Sequence, residues 1–222
     1  MIKGYWLCML HSHLPFVKHP EYDYFLEEHW LFEAISETYL PIIMRMKKMT
    51  DKGIDFHFTT SITPPLAEML ADEYLIDQYI KHINKLIKLS EEELVRLKNN
   101  KDFLPVAAFY NNLFNELKSF YINELDCSII NGYKKYSDIG KIEIITCAAT
   151  HGFLPILSVN RQAVEVQLRV AVETHKNHFG KYPQGIWLPE CAFYEGLDDV
   201  LSKYGIKYFF LDTHGLNNGS PQ

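Results

Sequence analysis

The chain is 222 residues long, 47% hydrophobic, 14% aromatic and 23% charged, with a net charge of −6. That composition suits a globular protein able to bury one large core, and the acidic balance, with no Lys/Arg block, argues against nucleic acid or an anionic membrane as partner. No apolar run approaches the roughly 20 residues that a membrane span needs, and Cys8, Cys127, Cys147 and Cys191 lack CxxC spacing, so reduced thiols in a cytoplasmic protein are expected.

Residues 4–10 form a short apolar run that is followed by His11-Ser12-His13 rather than by a small-residue cleavage site. This reads as a first strand and not as a signal peptide. Residues 29–49 place Leu31, Ile35, Tyr39, Ile42 and Met46 on one helical stripe. Pro41 falls inside that stripe, which predicts a kinked helix or two abutting ones. A second strand is predicted at 54–60. From Pro64 to about Tyr136 no convincing strand occurs, and two apolar stripes read as a helical insertion between strands two and three. A third strand follows at 142–147, then an amphipathic helix over 160–179 with Asn160 as its cap and Gly180 as its stop. The fourth strand, 185–188, leads to a helix at about 193–204, and the fifth strand is 207–211. The tail from Asn217 to Gln222 is turn chemistry.

Strands that alternate with helices imply a parallel sheet covered on both faces. Five strands cannot close an eight-stranded barrel, which takes about 250 residues. The expectation is therefore an α/β fold: an incomplete parallel (β/α) barrel with a helical insertion over about 64–136, all of 1–222 being the N-terminal piece of a longer catalytic domain. A cut barrel would leave the strand at 207–211 unpaired, which favours self-association through that edge.

Every predicted strand ends in polar residues: His11-Ser12-His13-Leu14-Pro15, Thr59-Thr60-Ser61-Ile62-Thr63, Thr150-His151-Gly152, Pro189-Glu190-Cys191 and Asp212-Thr213-His214. Strand ends on one face are where such folds build their sites. Glu190 reads as nucleophile, acid or base, or as an acid favoured near a helix start. His11, His13, His151 and His214 read as metal ligands, as hydrogen-bonding partners of sugar hydroxyls or carboxylates, or as structural loop contacts. Trp30 and Trp187 are sugar-stacking platforms or core aromatics. Asp212 is a substrate contact or a loop brace. Glu27, Glu28 and Glu91 to Glu93 read as solvated helix faces or helix-start acids.

His11-Ser12-His13-Leu14-Pro15, Thr150-His151-Gly152-Phe153-Leu154-Pro155 and Trp187-Leu188-Pro189-Glu190-Cys191-Ala192, in that order, resemble three sequence regions of glycoside hydrolase family 57, in the branch that holds 1,4-α-glucan branching enzymes and related amylase-like proteins. The resemblance implies a seven-stranded distorted (β/α) barrel and a retaining mechanism without metal or other cofactor, acting on an α-glucan partner. It implies that Glu190 is the nucleophile and that His11, His13 and His151 line the subsites around the scissile bond. The family's second catalytic carboxyl, an Asp in a later region, and its aromatic C-terminal helical domain have no counterpart in these residues. Three alternatives stay open: an amylase or 4-α-glucanotransferase of the same family, a metal-dependent deacetylase or amidohydrolase using the histidines, and a non-catalytic glucan-binding fragment.

Overall fold

A computed structural model describes residues 4–22 and 24–219. The two ends of the expected sequence reading, residues 1–3 and 220–222, lie outside them. Five strands form one sheet in the order β1 (Met9–Ser12), β2 (Phe58–Ile62), β3 (Ile142–Cys147), β4 (Gly185–Trp187) and β5 (Tyr208–Phe209). All four pairings are parallel, so the fold is α/β, with β1 and β5 at the sheet edges. The third and fourth strands fall where their apolar runs predict them. The first two lie nearer the C-terminus than predicted, because they take in the polar His11-Ser12 and Ser61.

The chain divides into two compact units. The sheet unit comprises residues 4–16, Phe56–Glu68 and residues 134–219. Its helices include α8 (Arg161–Phe179), which packs on β3, and α9 (Leu197–Lys203). Leu168, Val172, Ile186, Leu188, Leu197, Leu201 and Ile206 make a shared apolar core from α8, β4, α9 and the segment beyond it. Each such side chain contributes about 1.5–3 kcal/mol on full burial. As the sequence predicts, Asn160 caps α8 by accepting from Gln162 N–H, and Gly180 ends it in the left-handed conformation, φ 76°. His175 fastens α8 to the sheet, with Nδ1 2.9 Å from Lys181 O and Nε2 3.0 Å from Ile144 O. Beyond β5, a short helix α10 (Thr213–Asn217) forms and ends where the tail read as turn chemistry begins.

The second unit, Val17–Asp55 with Met69–Tyr133, is helical. It holds α1 (Leu26–Ala34), α2 (Leu40–Asp51), α4 (Glu73–Arg96) and α5 (Leu104–Ser119); α3 (Pro64–Leu70) and α6 (Ile129–Asp138) run across its boundaries, and the single turn α7 (Leu154–Leu157) belongs to the sheet unit. The predicted kink at Pro41 takes the form of a π-helical turn, Ile35–Tyr39, in which Leu40 N–H reaches back to Ile35 O. Proline lacks an N–H and crowds the carbonyl four residues earlier, so widening the turn before it keeps the helix continuous. Residues 17–55, predicted as a connection between strands one and two, thus join the predicted insertion in one unit. Glu28 is a helix-start acid in the first turn of α1, one of its two readings, but it is not solvated: it is 4% exposed and accepts a 2.8 Å hydrogen bond from His19 N–H. Among the described residues no helix is long and apolar enough to cross a membrane, and all four cysteines are free.

Candidate active site

The parallel register of β1 and β2 sets His11 opposite Ser61, and the bond from Thr63 N–H to Ser12 O (3.2 Å) continues the pairing past the strand ends. Side chains two apart on a strand share a face, so the His-x-His pair meets a Ser-x-Thr pair. His11 Nδ1 lies 2.6 Å from Ser61 Oγ, and His13 Nδ1 lies 3.2 Å from Thr63 Oγ1.

His151 arrives from the loop after β3, at φ 55°. That loop is pinned by Gln167 of α8, whose carbonyl oxygen accepts from Ala149 N–H (3.1 Å) and whose side chain bonds Thr150 N–H (2.9 Å) and Thr150 Oγ1 (2.8 Å). At Gly152 a Cβ would stand 2.8 Å from Leu157 Cδ1, so a larger residue there would have to displace the end of that side chain. The His151 ring stacks on His13 at 3.9 Å between centroids, and its Nε2 is 3.2 Å from His11 Nε2. Trp187, at the end of β4, stacks on the His11 ring at 4.6 Å. Three imidazoles and an indole therefore form one cluster at the strand ends.

Glu190 follows in a single 3-10 turn, Pro189–Cys191, at φ 56° and ψ 27°, and is exposed. It lies seven residues before α9 begins, so it is not the first-turn acid of an α-helix. Its carboxylate is electrostatically coupled to the His151 ring. Burial, then the proximity of His151 and His13, pushes His11 down to about 4. Burial and His151 push His13 down to about 4. Burial also lowers His151, against the opposing pull of Glu190 and of its own backbone hydrogen bond. The cluster is thus neutral near pH 7 and offers N–H donors and lone pairs rather than cations. The Cys191 thiol is held above its usual range by burial, then by Asp212 and Glu190, so it is not a thiolate nucleophile. Among the described residues no three His, Cys, Asp or Glu side chains are grouped to hold a metal ion; the His13 and His151 rings lie face to face instead of converging.

Of the residues singled out from sequence, His11, His13, His151 and Trp187 are brought together, with Glu190 beside them. Asp212 sits at the N-cap position of α10 without a capping bond, and it and His214 are exposed. Trp30 belongs to the helical unit and is 44% exposed. Sequence reasoning did not single out Ser61, Thr63 or Gln167. The first two carry a usable signal: Ser-x-Thr ending one parallel strand beside His-x-His ending its neighbour.

The model of Glycosyl hydrolase family 57 matches residues 8–220. The chain belongs to that family. It is 34% identical, over 98% of its length, to a 1,4-alpha-glucan branching enzyme of Thermococcus kodakarensis. The alpha-amylase AmyC of Thermotoga maritima superposes with a TM-score of 0.92 at 45% identity over 97% of this chain. The GH57-type branching enzyme of Pyrococcus horikoshii superposes at 0.91 with 34% identity over all of it. The chain spans 34%, 41% and 44% of these three proteins, well under half of each.

Proposed function

We propose that the chain is the nucleophile-bearing part of a retaining α-glucan-active enzyme of the 1,4-α-glucan branching type. Glu190 attacks the anomeric carbon of a glucosyl unit and forms a covalent glycosyl-enzyme. A second carboxyl group, roughly 5–5.5 Å away in a retaining site, protonates the departing glycosidic oxygen and then deprotonates a 6-hydroxyl of the acceptor chain. That group is an Asp of the portion of the relatives that this chain does not span; Asp212 is not assigned to the role. His11, His13 and His151 hydrogen-bond the sugar hydroxyls, with Trp187 as the apolar wall, and Asp212 and His214 are further contacts from the loop after β5.

The observation that carries this reading is the juxtaposition of an exposed carboxylate, held just beyond β4, with three imidazoles kept neutral by partial burial and, for His11 and His13, by the neighbouring rings. Neutral rings hydrogen-bond an uncharged sugar without setting fixed positive charge beside the nucleophile. The branching assignment is supported by the names of the 34% identical relatives. The 45% identity to an alpha-amylase favours a second reading, in which water replaces the acceptor hydroxyl.

An activated fluoro-glucosyl fluoride tests the nucleophile on the 222-residue chain, because fluoride departs without a proton donor. The expected result is one hexosyl adduct on the peptide that contains Glu190, absent in Glu190→Gln; an adduct elsewhere, or none, refutes the assignment. Turnover of amylose by this chain alone is expected to be negligible, since general acid–base help is worth about 10²–10⁴-fold. In the longer protein, new α-1,6 linkages mark branching, and new reducing ends without them mark hydrolysis. We also infer self-association at the β5 edge, which light scattering showing a monodisperse monomer would overturn.

A further inference from the structure

Ser61 and Thr63 are fully buried hydroxyl residues at the end of β2, where a strand packed on both sides ordinarily carries apolar side chains. Among the described residues each hydroxyl has one side-chain partner, the Nδ1 of the histidine opposite: His11 for Ser61 and His13 for Thr63. We propose that these two hydroxyls are positioning groups that lock His11 and His13 in the tautomer with hydrogen on Nε2, and that the lock passes through His11 to His151. Its meaning for catalysis rests on the glucan-active reading; its geometry does not.

A neutral imidazole carries one N–H and one lone pair, and the bond made by one nitrogen decides the state of the other. If His11 Nδ1–H donated to Ser61 Oγ, the hydroxyl hydrogen would be left buried without an acceptor. Orphaning a buried donor disfavours that arrangement roughly tenfold or more. The hydroxyl therefore donates to Nδ1, and the ring hydrogen sits on Nε2. Across the 3.2 Å gap between His11 Nε2 and His151 Nε2, one nitrogen must donate and the other accept. With His11 donating, His151 accepts at Nε2 and carries its hydrogen on Nδ1. The same reasoning at Thr63 puts the His13 hydrogen on Nε2, which has no protein partner among the described residues and is free to donate to a bound hydroxyl. Partial burial and the neighbouring imidazoles keep the His11 and His13 rings neutral well below pH 7, so the one-hydrogen accounting holds under ordinary conditions.

Two-bond ¹H–¹⁵N correlation spectra of the ¹⁵N-histidine-labelled 222-residue chain at pH 7 report which nitrogen of each ring is protonated. The expected pattern is Nε2–H for His11 and His13 and Nδ1–H for His151. Ser61→Ala is expected to move His11 toward a mixed population, a change of about fivefold or more in tautomer ratio, with His151 following and His13 unmoved. Thr63→Val, which keeps the shape and removes the hydroxyl, moves His13 alone, and Thr63→Ser restores it. A wild-type His11 or His13 protonated on Nδ1 overturns the proposal, and so do variants whose tautomers match the wild type. Should Ser61→Ala lose amide dispersion, the Thr63→Val spectrum decides: a shifted His13 supports the lock and an unshifted one sinks it. No substrate enters the measurement, so absence of a Glu190 adduct would end the functional reading while leaving this result intact.

Discussion

Gly185 opens β4 directly opposite Tyr208 in β5, and a side chain there has no room. A Cβ would stand 2.3 and 2.4 Å from two Tyr208 ring carbons and 2.8 Å from its hydroxyl oxygen. Carbon contacts settle near 3.5–4.0 Å, so Gly185→Ala requires the ring to retreat by about 1 Å or the two strands to part. Forcing a methyl into a packed site costs about 1–3 kcal/mol. Stiffening the unfolded chain works the other way by about 0.4–1 kcal/mol, so a net loss of ~1–2 kcal/mol is expected. For a chain of 150–250 residues each kcal/mol lowers Tm by about 2–4 °C, a fall of about 2–8 °C. Calorimetry or circular dichroism reads it. The clash has one named partner, so on a Tyr208→Ala background the same substitution should cost under about 0.5 kcal/mol, giving strong coupling in a double-mutant cycle. Trp187 lies two residues further along β4, against His11, and its fluorescence should shift in Gly185→Ala as the strand moves. Equal costs in both backgrounds would refute the steric argument.

Acidification below pH 6.5 should weaken the fold. His11, His13 and, in the helical unit, His82 are all pushed down to about 4, mainly by burial. Their folded pKa values lie below the unfolded value near 6.5, so the unfolded chain takes up protons first. Stability is therefore complete above pH 6.5 and declines between 6.5 and 4, by less than the ~1.4 kcal/mol per ring and pH unit of an unscreened group; urea midpoints that stay level over this range would contradict it. Glu190→Gln should leave stability within about 0.5 kcal/mol, as an exposed substitution, yet lower the His151 pKa, because the carboxylate raises it; an unmoved His151 titration by NMR would disprove their coupling. Cys191→Gly should be neutral or stabilising by up to about 1.5 kcal/mol. The relief of a left-handed conformation, about 1–2 kcal/mol, meets a glycine entropy cost of about 0.5–1 kcal/mol. A loss above 1 kcal/mol in chemical denaturation would count against strain at that residue.

The parallel α/β architecture was legible because Ile142–Cys147 is a near-continuous apolar run and the segment after Asn160 has one helical period closed by Gly180. The first two strands were misplaced for a physical reason. Their polar ends, His11-Ser12 and Ser61, look like loop in a window of local propensity. They enter the sheet where the His11 imidazole finds the Ser61 hydroxyl across the pairing, and His13 finds Thr63 just beyond it, a compensation fifty residues away in sequence. The helix predicted at 193–204 begins at Leu197, after Gly196 at φ 87°, so the segment that follows Glu190 is a turn and a loop instead of a helix. Burial of Glu28 against a backbone N–H from His19 is likewise a tertiary contact that a charge pattern does not record. The grouping of His11, His13, His151 and Trp187 was accessible from the rule that strand ends share a face. The Ser61-x-Thr63 pattern beside His11-x-His13 was a usable signal for the hydroxyls that orient the rings; the grip of Gln167 on the β3 loop was not legible, because it comes from a helix seventeen residues on.

Two loops of the sheet unit carry an informative conflict with local preference. His151, Glu190 and Cys191 all adopt positive φ, at 55°, 56° and 52°, without being glycine. Each such conformation costs on the order of 1–2 kcal/mol for a residue bearing a Cβ, and glycine would remove it. The surroundings over-determine both loops. His151 N–H bonds Ala148 O at 3.0 Å, and Cys191 N–H and Ala192 N–H bond Leu188 O and Pro189 O at 2.8 and 3.2 Å. Ala148 and Leu188 are wholly buried in the core beneath them. A fold that needed only to turn here would lose nothing by using glycine, as it does at Gly180 and Gly205. Strain retained at an imidazole and a carboxylate on neighbouring strand ends, coupled to each other electrostatically, is accounted for when the side chains themselves are what the loops exist to present.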